Sequence, residues 1–171
     1  ASRRALPVWA GFIALAAGAL VYALVTRDFS LRFVAETTSR DLPLFYTVTA
    51  FWGGHAGSLL LWALVLALYA AAASSALRHL DGAPAVFLAL LATAGFFTLT
   101  LVAGSDPFET LRVPAPDGRG LNPLLRNPWM AAHPPALYLG FVGMTVPFAL
   151  AVASIAAPGR AGAYLRAARP W

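Results

Sequence analysis

The sequence contains no cysteine and no lysine, and only 7 of its 171 residues are acidic. Without cysteine there can be no disulfide, thiolate nucleophile or cysteine metal site. Charged residues make up 11% of the chain, where a soluble domain carries about a quarter. What charge exists is absent from four long apolar runs at about 6–25, 59–77, 85–103 and 136–157, none of which holds Asp, Glu, Lys, Arg or His. Each approaches or exceeds the ~20 residues needed to cross a bilayer. Also missing are a phosphate-cradling glycine loop, a Ser-His-Asp pattern and a His-Glu-x-x-His zinc signature, so hydrolytic chemistry has no support. With no acid inside a run, proton or ion transport is weakly supported.

What remains is 60% hydrophobic. The predicted fold class is all-α: a polytopic membrane bundle with about four transmembrane helices, residues 1–171 forming one membrane domain. Two long extracytoplasmic segments are expected at about 26–58 and 104–135. The net charge of +5 comes from arginines that flank the spans and form no single patch, which gives no sign of nucleic-acid binding. Arg3, Arg4, Arg78, Arg160, Arg166 and Arg169 lie on the short-connection side against one acid, Asp81; the long segments hold six arginines and six acids. Basic residues in short loops mark the cytoplasmic side. Both termini are therefore expected inside and both long segments outside.

The first long segment ends in an aromatic stretch, 44–52, suited to a helix at the membrane interface, followed by glycine-rich residues around His55. In the second, Ser105 or Asp106 could cap a short helix opened by Pro107, and 113–120 reads as a loose loop. Gly11, Gly18, Gly95, Gly140 and Gly143 are expected to let helices pack closely.

His133 carries the functional expectation. Pro134 should hold it in extended backbone, and the two prolines suit the first turn of the fourth helix. The result would be a rigid elbow presenting an imidazole at the membrane mouth. Trp129 and Tyr138 could add flat aromatic surface, and Arg119 and Arg126 positive charge. A large planar anionic ligand fits that set, and haem matches it, with iron on imidazole and carboxylates on arginine. The residues alone equally allow an interfacial histidine with no ligand. His55, beside Trp52, could likewise only bond its own loop, and His79 reads as solvated.

Five motifs then occur in order: residues 51–62 (FWGGHAGSLLLW), 105–108 (SDPF), 120–128 (GLNPLLRNP), 133–143 (HPPALYLGFVG) and 169–171 (RPW). Together they resemble the N-terminal part of the CcmF-type cytochrome c maturation haem lyase subunits, whose nitrite-reductase paralogues look similar. The resemblance spans essentially the whole chain. It implies a bacterial inner-membrane protein in a haem lyase complex, receiving b-type haem as substrate from a periplasmic haem chaperone. It also implies transfer to apocytochrome c, with apocytochrome-binding and thiol-handling membrane subunits as partners. His133 falls on the family's external haem-ligating histidine, and Trp129, Arg119, Arg126, His55 and Trp52 are lesser candidates for haem contact. A partner histidine, a tryptophan-rich segment and the ligands of a second, structural haem are expected after Trp171, and one further span before Ala1. The sequence departs from the family at Ala56, where a glutamate is usual. A haem-exporting or haem-handling protein without ligation activity, and a scaffold or transporter subunit without haem, are the alternative readings.

Overall fold

The computed structural model describes residues 2–80 and 83–171, with side chains in the first helix from Arg4 onward. Asp81 and the side chain of Arg3, both part of the charge comparison, lie outside that description. The described residues are mostly helical: α1 (Ser2–Thr26), α2 (Arg32–Thr37), α3 (Leu44–Thr49), α4 (His55–Ala76), α5 (Ala83–Gly104), α6 (Pro128–Gly143), α7 (Thr145–Ala156) and α8 (Ala161–Ala168). Helix α1, from Arg4, together with α4, α5 and the joined α6–α7, supplies four stretches long and apolar enough to span a membrane.

These helices are apolar on nearly every side, as a membrane-embedded helix must be. Phe12, Leu15, Tyr22, Leu68, Leu88, Phe96, Leu99, Phe141 and Ile155 all project from the bundle, far more exposed apolar surface than a water-soluble chain tolerates. Inside, α4 is the central element, packed against α1, α5 and α6, while α7 closes on α5 and α8 on α7. Several polar side chains within the bundle are satisfied, while Trp62 Nε1 and the Tyr164 hydroxyl are buried without a partner among the described residues. The hydroxyls of Thr93, Thr98 and Ser74 donate to carbonyls four residues back, and Trp9 Nε1 crosses from α1 to Thr98 Oγ1 at 2.9 Å. Of the glycines expected in close packing, Gly143 lies against the Tyr69 ring, but Gly11, Gly18, Gly95 and Gly140 meet nothing within 4 Å and face outward.

The fourth span is longer than its apolar run and is broken once. Its two helices together cover Pro128–Ala156, 29 residues. The break at Met144 has a cause three residues on. Pro147 has no N–H for the carbonyl of Gly143, and its ring crowds that carbonyl, so the chain takes one tighter turn, with Met144 N–H donating to Phe141 O.

The long segments leave the same end of the bundle and lock together. Arg32 N–H donates to Glu109 O, Leu111 N–H to Ser30 O, Arg119 N–H to Ala35 O and Gly120 N–H to Thr38 O, all within 2.7–2.9 Å. Residues 113–120 are thus irregular but tied to α2, not loose. A Cβ on Gly118 would collide with the carbonyl oxygen of Thr38. Gly57 is equally constrained by the carbonyl of Phe51, and Gly53 leaves room for the Leu121 side chain. The helix expected after Pro107 does not form. Asp106 Oδ1 accepts instead from Phe108 N–H at 2.8 Å, closing an Asx turn that ends before a helical ladder can start. Helix α3 and the 3-10 turn Ala50–Trp52 make the expected stretch helical: Leu44, Phe45 and Val48 point outward while Thr47, Thr49 and Phe51 are buried.

Candidate functional site

The run 120–128 works as two successive caps. Asn122 Oδ1 accepts from Leu124 N–H at 3.0 Å, and Pro123 opens a single 3-10 turn. Five residues on, Asn127 Oδ1 accepts from Trp129 N–H at 2.9 Å, and Pro128 opens α6. Asparagine before proline is a strong start signal: the side chain satisfies an orphan donor, and the proline at the first position has none to lose. Between the caps, Arg126 Nε donates to Leu121 O at 2.9 Å. Leu121 is buried against the core and seats the turn.

The elbow expected at His133 is therefore absent. Helix α6 begins at Pro128, and His133 lies in its second turn in helical conformation. Pro134 and Pro135 are inside the helix and leave the carbonyls of Met130 and Ala131 without their i+4 donors. The cap at Asn127 starts the helix too early for the preference of a pre-proline residue to prevail. At 1.5 Å per residue the 29-residue span is about 43 Å long, against a ~30 Å hydrocarbon core. His133 is about 7–8 Å from its start, near the boundary, where water can take the two freed carbonyls.

Helix α6 has two opposite faces. Ala131, Pro135, Tyr138 and Val142, spaced four, three and four apart, are buried or half-buried against the bundle. Tyr138 stacks edge-on against Trp62 of α4, with centroids 5.1 Å apart. Trp129, His133, Ala136, Leu137 and Gly140 form the other face, and all are exposed, Trp129 by 82%. Tyr138 thus stands across the helix from His133 and cannot stack beside it. Trp129, one turn above on the same stripe, can. Below the imidazole lie Leu137, 42% exposed, and the small residues Ala136 and Gly140, with nothing within 4 Å of the glycine.

The other candidates lie elsewhere. Arg119 is exposed, and among the described residues its guanidinium has no hydrogen bond or ion pair. Trp52 lines a groove of about 310 Å³ between α1 and α4. His55, the first residue of α4, faces a separate cleft of about 260 Å³ with Arg32, Glu36, Asp106 and Glu109. Arg32 pairs with Glu109 at 3.0 Å, and among the described residues no three His, Asp or Glu side chains gather closely enough to hold a metal ion. That cleft was not legible in the sequence, because its charges come from both long segments and meet only through the loop pairing. Asp117 works in the same pairing. It accepts from the backbone N–H groups of Arg40 and Gly118, which hold its carboxyl below the ordinary aspartate range.

Helices of membrane-spanning length, capped at one end by interlocked segments, define a polytopic helical membrane protein. Residues 52–160 match the family model described as cytochrome C assembly protein, and the chain belongs to that family. It is 44% identical to the Rhodobacter capsulatus cytochrome c-type biogenesis protein ccl1 over 94% of this chain and 25% of that protein. It is 39% identical to the Escherichia coli cytochrome c-type biogenesis protein CcmF over 95% of this chain and 26% of that one. Among solved structures it is similar to the cytochrome c heme lyase CcmF, with a TM-score of 0.76 and 36% identity over 93% of this chain and 25% of that chain. The chain spans about a quarter of the length of the curated relatives it matches.

Proposed function

We propose that the protein, in its role in cytochrome c biogenesis, receives haem from a periplasmic haem chaperone and holds it for attachment to apocytochrome c as part of a haem lyase complex. The observation that carries this reading is the open stripe of α6: an exposed imidazole with a tryptophan one turn above, and Leu137 with the small residues Ala136 and Gly140 below. His133 would hold the haem iron through its imidazole, and Trp129 would offer its flat aromatic face to the ring. Arg119, whose guanidinium is uncommitted, is the better propionate partner. Arg126 already spends one donor on Leu121 O. His55 and Trp52, in their own cleft and groove, contribute less.

Thioether formation is an addition. Each cysteine sulfur bonds to a vinyl carbon, the thiol hydrogen goes to the neighbouring vinyl carbon, and nothing leaves. Haem brings the reactive groups, so the protein's part is to fix where they lie. The stripe carries no acid or nucleophile, in keeping with a positioning role. In this reading the paired long segments face the periplasm of a bacterial inner membrane, because the opposite end is the arginine-dense one. Replacing His133 by Ala in the full-length protein tests the assignment. Loss of haem absorbance from the purified protein, with a fall in covalent cytochrome c, is expected. Unchanged haem content and yield would remove it.

A further inference from the structure

The end of the bundle remote from His133 carries a second feature. The link after α4 and the tail after α8 enclose an open groove of about 570 Å³, within the ~300–1,000 Å³ range of small-molecule sites. Its walls are almost wholly apolar, from Ala76, Leu77, Leu80, Ala167, Pro170 and Trp171. Trp171 is set by an edge-on contact with Tyr69 of α4, with centroids 6.4 Å apart, and by its N–H donating to Ala168 O at 3.1 Å. The one polar side chain in the wall, His79, accepts from Arg78 Nε at 2.7 Å, which fixes the Arg78 guanidinium at the rim.

Among the described residues, the charged side chains at this end are arginines. Arg78, Arg160, Arg166 and Arg169 are all exposed, and among the described residues every carboxylate belongs to the long segments at the other end; Asp81 lies outside the described residues. Arg169 directly precedes Pro170 and Trp171 of the wall. Helix α4 ends at Ala76 and α5 begins at Ala83, so the groove opens where spanning helices meet headgroups. Trp171 suits that depth.

We propose that this groove seats one anionic phospholipid, an acyl chain against the Leu77–Leu80–Trp171 wall and the phosphate between Arg78 and Arg169. An apolar slot with Arg78 bonded to its wall histidine and Arg169 next to its wall in sequence matches a lipid with negative charge and a hydrocarbon tail. A soluble anion would have no use for the wall, and a zwitterionic lipid carries a cation toward the arginines. The site is independent of His133 and of any haem chemistry.

Full-length protein taken from nanodiscs holding equal phosphatidylglycerol and phosphatidylcholine, with retained lipid counted by native mass spectrometry, tests this. Preferential retention of phosphatidylglycerol is expected. It should fall about fivefold for each of Arg78→Gln and Arg169→Gln, and stay unchanged for Arg112→Gln at the opposite end. Ala167→Trp, which fills the slot without altering charge, should also lower it. Equal retention of the two lipids, or a preference unmoved by the arginine pair, overturns the proposal. So does full retention by Ala167→Trp in protein that still elutes as the native species, because the slot would then be holding something other than the chain of a lipid.

Discussion

His55 and His133 look alike on paper, each beside glycine or proline at the outer start of a spanning helix, yet the structure gives them opposite surroundings. His55 opens α4 and faces a cleft lined by Arg32, Glu36, Asp106 and Glu109, where Arg32 pairs with Glu109 and the acids outnumber the one arginine. His133 lies one and a half turns into α6, on the side turned away from the bundle, with Trp129, Leu137 and small residues beside it. An imidazole in an acid-rich cleft has loop carboxylates within its own chain to meet. One on an outward helix face has none among the described residues. What separates them is not residue type but which face of its helix the bundle occupies.

The sharpest way to break this contrast is a pair of substitutions. His133→Ala should lower haem retention and covalent cytochrome c yield at least tenfold, since even partners behind a metal ligand are worth about 10–100-fold. His55→Ala should stay within about twofold. Equal losses at the two positions would abolish the distinction.

The next effect concerns the frame around His55. Gly57→Ala drives a methyl into the Phe51 carbonyl and the Phe33 ring, and overpacking of this kind costs about 1–3 kcal/mol. A lowered melting temperature, with faster amide exchange in α2 and little change in α6, is expected. Wild-type stability would show that the junction can relax. Topology sharpens the comparison further. This stretch has no native cysteine, so single Pro116→Cys and Gly159→Cys substitutions can be probed with a membrane-impermeant maleimide on intact cells. Labelling of the first only is expected, and labelling of the second only would invert the orientation.

Smaller effects should come from the loop ties. Arg32→Met removes an ion pair whose side chains are 50% and 52% exposed, so about 0–1 kcal/mol is at stake. Asp117 has a folded-state carboxyl held low by the Arg40 and Gly118 amides. Its stabilisation is therefore present above the ordinary aspartate range and lost as pH falls through the lowered value. Amide exchange at Arg40 should quicken only under those acid conditions, and Asp117→Asn should flatten that dependence.

The four spans were legible because nothing charged interrupts them, and the interfacial stretch at 44–52 because its aromatic residues have few other uses. Helix starts were less legible. The prolines after His133 drew the boundary toward them, whereas Asn127 and Pro128 had already begun the helix. Once a capped helix is running at the water-facing edge, two lost donors are tolerated. The same shift moved His133 into α6 and put Tyr138 on its far side, since six residues displaced the start and helical periodicity did the rest. The break at Met144 hid inside an apolar run that hydropathy treats as continuous. The cleft around His55 was illegible for a different reason: local patterns do not say which loop pairs with which.

The central claim is that His133 itself bonds the haem iron, and imidazole rescue tests it most directly. The full-length protein carrying His133→Gly should be purified with little haem and regain a six-coordinate absorbance spectrum when free imidazole is supplied. Haem retained at the wild-type level without imidazole, with an unaltered spectrum, would contradict the account.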